Sequence, residues 1–133
     1  SDLNRARWEK LIWNIPFNGL SALLGKDVTE LLQHQPTREL VHQLMEEVIC
    51  GANAQRLREP IDGPPFIQLM IESTEQMDRY RPSMMIDCEM GRPMEVEAIY
   101  GEPVRRAEEA GCAVPKMREL YEQLNVLDAS RRG

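Results

Sequence analysis

The chain has 133 residues, 42% of them hydrophobic and 29% charged, with a formal net charge of -6. That length suits one domain around a single core, and that balance suits a globular chain, not a disordered one. The negative charge, together with aromatic residues at only 5%, argues against the basic footprint and stacking platforms of a nucleic-acid binder. No apolar run approaches the roughly 18 residues that a membrane span needs, and no signal-peptide pattern is visible. Neither a membrane nor a nucleic acid is expected as a partner, and a cytoplasmic location is.

Apolar residues recur at i, i+3 and i+4 in nearly every segment, and period-two alternation is scarce. A first helix is predicted over residues 3–24, with Ser1 or Asp2 as its N-cap and Gly25 near its C-terminal end. Pro16 lies inside it and should kink it, at about 3 kcal/mol if nothing compensates. A short helix follows over 28–33. In "PTRELVHQLMEEVICGANAQ" Thr37 is the expected N-cap, and Leu40, Val41, Leu44, Met45 and Val48 form an apolar stripe. "REPIDGPP" is a turn-rich break. Residues 66–77 read as a further helix and "DRYRP" as a loop. Ser83 should cap a short helix that runs to Met90 and ends at Gly91. Pro93 should open a long helix reaching Ala110, closed by Gly111. The last helix is predicted over 115–127, leaving "ASRRG" as a solvated tail. The whole is one all-α domain, residues 1–133, of about six or seven helices joined by short connections.

Cys50, Cys88 and Cys112 are odd in number, far apart and never arranged as CxxC, so reduced thiols are expected and neither a disulfide framework nor a zinc site is. His34 and His42 stand outside any metal-ligand spacing, so no metal is expected. No nucleophile elbow, P-loop or GxGxxG occurs.

Two segments resist a purely structural reading. In "RWEKLIWNIPFNGLSALLG" Lys10, Asn14 and Asn18 form a polar seam, four residues apart, that spans roughly 12 Å of helix. Trp8, Leu11, Ile12, Trp13, Ile15, Phe17 and Leu20 surround that seam, and a helix apolar almost all round is normally buried. Buried amides and ammonium groups need partners, so the seam lines a polar ligand site, joins a satisfied network, or faces water. If it faces ligand, exchanging Asn14 or Asn18 for Leu should leave folding intact. In the second segment, "RPSMMIDCEMGRPMEVEAIYGEPVRRAEEAGCAVP", Ser83, Asp87 and Glu95 interrupt a methionine-rich apolar run. A structural account is available for each: Ser83 as a cap, Asp87 paired with Arg92, and Glu95 in a first helical turn. The methionines fit flexible core filler.

Taken in order, the two segments resemble the C-terminal domain of the ketopantoate reductase (2-dehydropantoate 2-reductase) family, over nearly the whole chain. The first signature is the lysine with asparagines four and eight residues on, within "WEKLIWNIPFN". The second is "PSMMIDCEMGRPMEVEAIYGEPVRRAEEAGCAVP", with its Ser-Met, an aspartate, Gly-Arg, then Glu, Gly and a final Gly-x-x-x-Pro.

The resemblance implies an all-α fold like that family's C-terminal domain and that of 6-phosphogluconate dehydrogenase. It implies a part in NADPH-dependent reduction of ketopantoate to pantoate, in pantothenate (vitamin B5) biosynthesis. Lys10 matches the family's general acid and Glu95 the carboxylate that orients lysine and substrate. Asn14 and Asn18 match substrate-binding amides, and Ser83 a substrate-binding hydroxyl; Asp87 lies in the motif without a catalytic role. The cofactor would be held mainly by an N-terminal Rossmann domain, which this chain lacks, so the domain alone is expected to be inactive. A further family asparagine has no match, Val28 standing near its position, and Met94 replaces a threonine before the glutamate. A reductase domain for another 2-oxo acid is therefore an alternative, as is a non-catalytic helical module that dimerises or binds a partner.

Overall fold

Helix α1, Asp2–Leu24, is the axis of the fold, because its apolar residues point in nearly every direction. In the computed structural model, which describes residues 2–132 without the side chains of Asp2 and Arg132, Trp8, Ile12, Ile15, Phe17 and Leu20 are all buried. Of the two expected N-caps, Ser1 falls outside the described residues and Asp2 is the first residue of α1. Pro16 sits inside α1 without ending it, and Gly25, at φ +67°, takes the left-handed position that closes a helix.

Helix α2, Val28–Gln33, begins in a reciprocal cap: the Glu30 amide donates to the Asp27 carboxylate (2.9 Å), and the Asp27 amide to the Glu30 carboxylate (3.0 Å). Helix α3, Gln35–Asn53, lays Val41, Leu44, Met45 and Val48 against the core. Its start differs from expectation. His34 occupies the cap position and Pro36 the first turn, where a proline loses nothing, while the Thr37 hydroxyl donates backwards to the carbonyls of Leu31 (2.6 Å) and His34 (2.9 Å).

The Asn53 side chain then ties down the break before the next helix, donating to the Ile61 carbonyl (3.0 Å) and accepting from the Ile61 amide (2.7 Å). Helix α4 runs Gly63–Glu75, opening three residues before the predicted start because Pro64 and Pro65 fit a first turn. Trp13 joins it to α1 by donating its indole N–H to the Thr74 hydroxyl (2.9 Å).

Helix α5, Ser83–Glu89, starts at Ser83 instead of being capped by it, with Pro82 in the cap position at φ -60° and ψ 154°. The long helix expected from Pro93 is shorter and irregular. Residues 92–95 stay outside any helix, a π-helical turn covers Glu97–Gly101, and α6 follows at Glu102–Glu109. Helix α7, Pro115–Arg132, runs on past the predicted end at residue 127, and residues 129–131 of the expected tail are exposed on its last turns. Its first turn is capped from α3, where the Glu47 carboxylate accepts the amides of Lys116 (3.2 Å) and Met117 (2.9 Å), a favourable place for negative charge. The described residues thus form seven α-helices and one π-helical turn, with no strand.

Candidate active site

The seam on α1 runs from solvent into the core. Lys10 is exposed, Asn14 is half-buried, and Asn18 is 5% exposed. At its inner end both functions of the Asn18 amide are used. Its carbonyl oxygen accepts the backbone N–H of Met84 (3.2 Å), and its NH2 donates to the side-chain oxygen of Asn14 (3.3 Å). Met84 lies in the first turn of α5, where backbone donors lack helical partners, so Asn18 satisfies one that would otherwise be orphaned. One hydrogen bond therefore joins segments 66 residues apart, the seam and the Ser-Met motif. It also distinguishes the two asparagines: Asn18 is tied into the fold through both functions of its amide, whereas among the described residues Asn14 leaves its amide nitrogen unengaged.

A second tie runs just beneath. Fully buried Tyr100 donates its hydroxyl to the Ile15 carbonyl (2.5 Å), with the Asn14 carbonyl at 3.4 Å. Burial pushes its phenol far above the usual value, which keeps it a donor. An added Cβ on Gly19 would stand 2.5 Å from that hydroxyl oxygen, so the close approach of the π-helical turn to α1 requires glycine there.

Ser83 is exposed at the start of α5. Glu95 is exposed just before the π-helical turn and adopts φ +58°, a left-handed conformation that costs a non-glycine residue about 1–2 kcal/mol. The strain is held from both sides. The Met94 amide donates to the Asp128 carboxylate (3.2 Å), and the Glu95 carbonyl accepts from the Ile99 amide (3.2 Å). Upstream, the Arg131 guanidinium donates to the carbonyls of Cys88 (3.2 Å) and Glu89 (3.4 Å) at the end of α5. Asp87 pairs with Arg92 (3.0 Å), the structural role available to it in the sequence. Strained non-glycine backbone and π-helical turns both concentrate at functional sites.

Asn14, Asn18 and Ser83 are thus brought to one place. Lys10 and Glu95 are not joined: neither side chain makes a hydrogen bond or ion pair with another described residue. Sequence reading missed Asp128, just past the predicted end of the last helix, and Arg131, in the expected tail. The available signal was register, since Asp128 follows buried Leu124 by four and Tyr121 by seven and so continues the apolar stripe of α7.

Beyond this face, Glu97 in the π-helical turn accepts from the Tyr121 hydroxyl and from Arg105, and these two partners hold its carboxyl below the usual glutamate range. Cavities of about 200 Å³ beside Arg7 and Trp8, and about 630 Å³ beside α2, are lined by other residues. Lys10, Ser83 and Glu95 are each exposed and line none of these cavities. No group of three or more acidic, histidine or cysteine side chains able to hold a metal occurs among the described residues, and no helix there is long and apolar enough to cross a membrane.

Residues 2–128 match the family described as Ketopantoate reductase PanE/ApbA C terminal. The chain is 47% identical over 131 residues to a 2-dehydropantoate 2-reductase of Nostoc sp., covering 98% of this chain and 40% of that protein. Among solved structures, a 2-dehydropantoate 2-reductase of Geobacter metallireducens superposes with a TM-score of 0.91 at 47% identity, covering 93% of this chain and 41% of that one. A ketopantoate reductase of Staphylococcus aureus, described as dimeric, gives 0.86 at 26% identity, over 97% and 44%. The chain spans about two fifths of the length of these relatives.

Proposed function

This chain belongs to the ketopantoate reductase C-terminal domain family, and on that premise we propose that it is the substrate-binding and proton-donating domain of a cytoplasmic, NADPH-dependent 2-dehydropantoate 2-reductase. The observation that carries the reading is the hydrogen bond from the Met84 amide to Asn18, because it unites the two motifs into one polar face. Ketopantoate is a small anion with a ketone and a hydroxyl, so it calls for one cation and several neutral donors. Lys10, Asn14, Asn18 and Ser83 are that set.

Reduced nicotinamide, when bound, supplies a hydride to the ketone carbon. The described residues form no strand, and in this reading the cofactor is held mainly by an N-terminal Rossmann domain outside this chain. What these residues do is bind, orient and protonate. Negative charge develops on the ketone oxygen, where the Lys10 ammonium stabilises it and then gives up a proton. Asn14 offers an amide nitrogen to the substrate hydroxyl from half-way down the seam. Asn18 backs it from below with the N–H that Asn14 does not occupy, and the Ser83 hydroxyl binds at the start of α5. Glu95 orients Lys10 and the substrate once the cleft is closed; its strained backbone aims a carboxylate that has no partner among the described residues. A homodimer, as described for the Staphylococcus aureus relative, is compatible with this arrangement.

The experiment is to follow NADPH oxidation with ketopantoate for this chain alone, for the nucleotide-binding domain alone, and for both mixed. Turnover is expected only in the mixture and in the complete reductase, because alignment of donor and acceptor supplies much of the rate. Turnover by this chain alone would overturn the division of labour, and a complete reductase inert toward ketopantoate would move the assignment to another 2-oxo acid.

A further inference from the structure

Cys50 lies in the last turn of α3 and Cys112 in the connection between α6 and α7, 62 positions apart in sequence. The packing of these elements brings their sulfur atoms to 3.0 Å. The contact is built, because α3 meets α6 at small residues: an added Cβ on Gly51 would stand 2.9 Å from the Ala107 Cβ. Gln55 clamps the same junction by donating to the carbonyls of Gly51 (3.1 Å) and Arg106 (3.2 Å). The Cys112 amide donates to the Ala107 carbonyl (2.9 Å), which fixes the turn, and the Cys112 thiol reaches the Cys50 carbonyl (3.3 Å). Cys50 is exposed, Cys112 is partly buried, and Cys88 is buried elsewhere, on α5.

We propose that Cys50 and Cys112 are a redox-active pair that closes to an intramolecular disulfide on exposure to a peroxide, Cys50 being the residue attacked first. The steps balance as follows. The Cys50 thiolate attacks one oxygen of hydrogen peroxide, the O–O bond breaks, and hydroxide leaves, giving Cys50 sulfenic acid. The Cys112 sulfur then attacks the Cys50 sulfur, displacing the hydroxyl group, which leaves as water with the Cys112 proton. Two thiols are oxidised by two electrons in total and one peroxide is reduced to two waters. The order follows from exposure: Cys50 is open to oxidant, whereas Cys112 is partly buried, and burial and the neighbouring Cys50 push its thiol up to about 11, so it is not the sulfur attacked first and gives up its proton only as it closes on Cys50. A small movement of the two sulfurs suffices, since the bonded distance is about 2.05 Å.

The crosslink would staple α3 to the start of α7 across a long loop, and should raise Tm by about 7–14 °C, given the usual disulfide effect and the unfolding entropy of a domain this size. The test treats this chain with a few equivalents of hydrogen peroxide, counts free thiols after denaturation, and maps linked peptides by mass spectrometry. The expected result is a fall from three free thiols to one, a loss of two hydrogens in mass, and a Cys50–Cys112 peptide that dithiothreitol removes. Cys88→Ser should crosslink as before, and Cys112→Ser should accumulate a Cys50 sulfenic acid that dimedone traps. Disulfide-linked dimers through Cys50, a Cys50 that goes to sulfinic acid with Cys112 still free, or crosslinking that survives Cys112→Ser would each overturn the proposal.

Discussion

Replacing Asn18 by leucine separates the two uses of the polar seam. The substitution removes the acceptor for the Met84 amide and the donor to Asn14, at a position only 5% exposed. A buried N–H left without a partner costs about 1–3 kcal/mol, and the apolar surface gained by leucine offsets only part of it. With an unfolding entropy of about 2.1 cal/mol/K per residue, the 133 residues give about 280 cal/mol/K, so a net loss of about 2 kcal/mol should lower Tm by about 7 °C. Asn14→Leu removes only the acceptor of one Asn18 N–H, beside a half-buried position that water reaches, and should lower Tm by less, no more than about 4 °C. Thermal melts of both variants by circular dichroism make the comparison. An Asn18→Leu protein as stable as the parent, or more stable, would refute the structural role and return Asn18 to function alone.

Asp128→Ala removes the acceptor of the Met94 amide and should release the strained Glu95 backbone; in the complete reductase kcat should fall about tenfold, with KM less affected and activity recovered in Asp128→Asn, and equal losses in Asn and Ala would count against the hydrogen bond. Gly19→Ala places a methyl 2.5 Å from the Tyr100 hydroxyl and 2.9 Å from Leu120, and should cost about 1–3 kcal/mol in urea melts, whereas an unchanged midpoint would mean that α1 and the π-helical turn separate easily. Glu97 is held below its ordinary value of 4.5 by Tyr121 and Arg105, and Glu108 by Arg118, so the stability they contribute is present above about pH 4.5 and is lost as pH falls through their lower folded values. Urea midpoints should therefore decline below pH 4.5, and Glu97→Gln should flatten that decline; a steeper acid limb in the variant would contradict the pairing.

Much of the helical scaffold was legible because it rests on local physics. Gly25 ends α1 by its left-handed φ, the stripe from Val41 to Val48 faces the core, and α2 spans the predicted residues. Cap positions were misread where proline intervened. Thr37 and Ser83 have the right chemistry for caps, yet Pro36 and Pro82 fix the backbone around them and shift each helix start. The segment after Pro93 was misread for a different reason. Asp128, 34 positions away, takes the Met94 amide and holds the chain out of a helix until Val96, and no local window contains that partner. The polar seam was visible as a pattern, but its gradient from exposed Lys10 to buried Asn18 was not, because it depends on where α5 packs. The contact between Cys50 and Cys112 was hidden by their separation.

The central claim is that Lys10 donates the proton that completes reduction. The direct measurement is steady-state kinetics of ketopantoate reduction by the complete reductase carrying Lys10→Ala, at neutral pH with saturating NADPH. Loss of a general acid should lower kcat by roughly 10²- to 10⁴-fold, with KM for ketopantoate changing much less. A variant that keeps kcat near the parent value, with only KM raised, would reduce Lys10 to a binding cation and contradict the account.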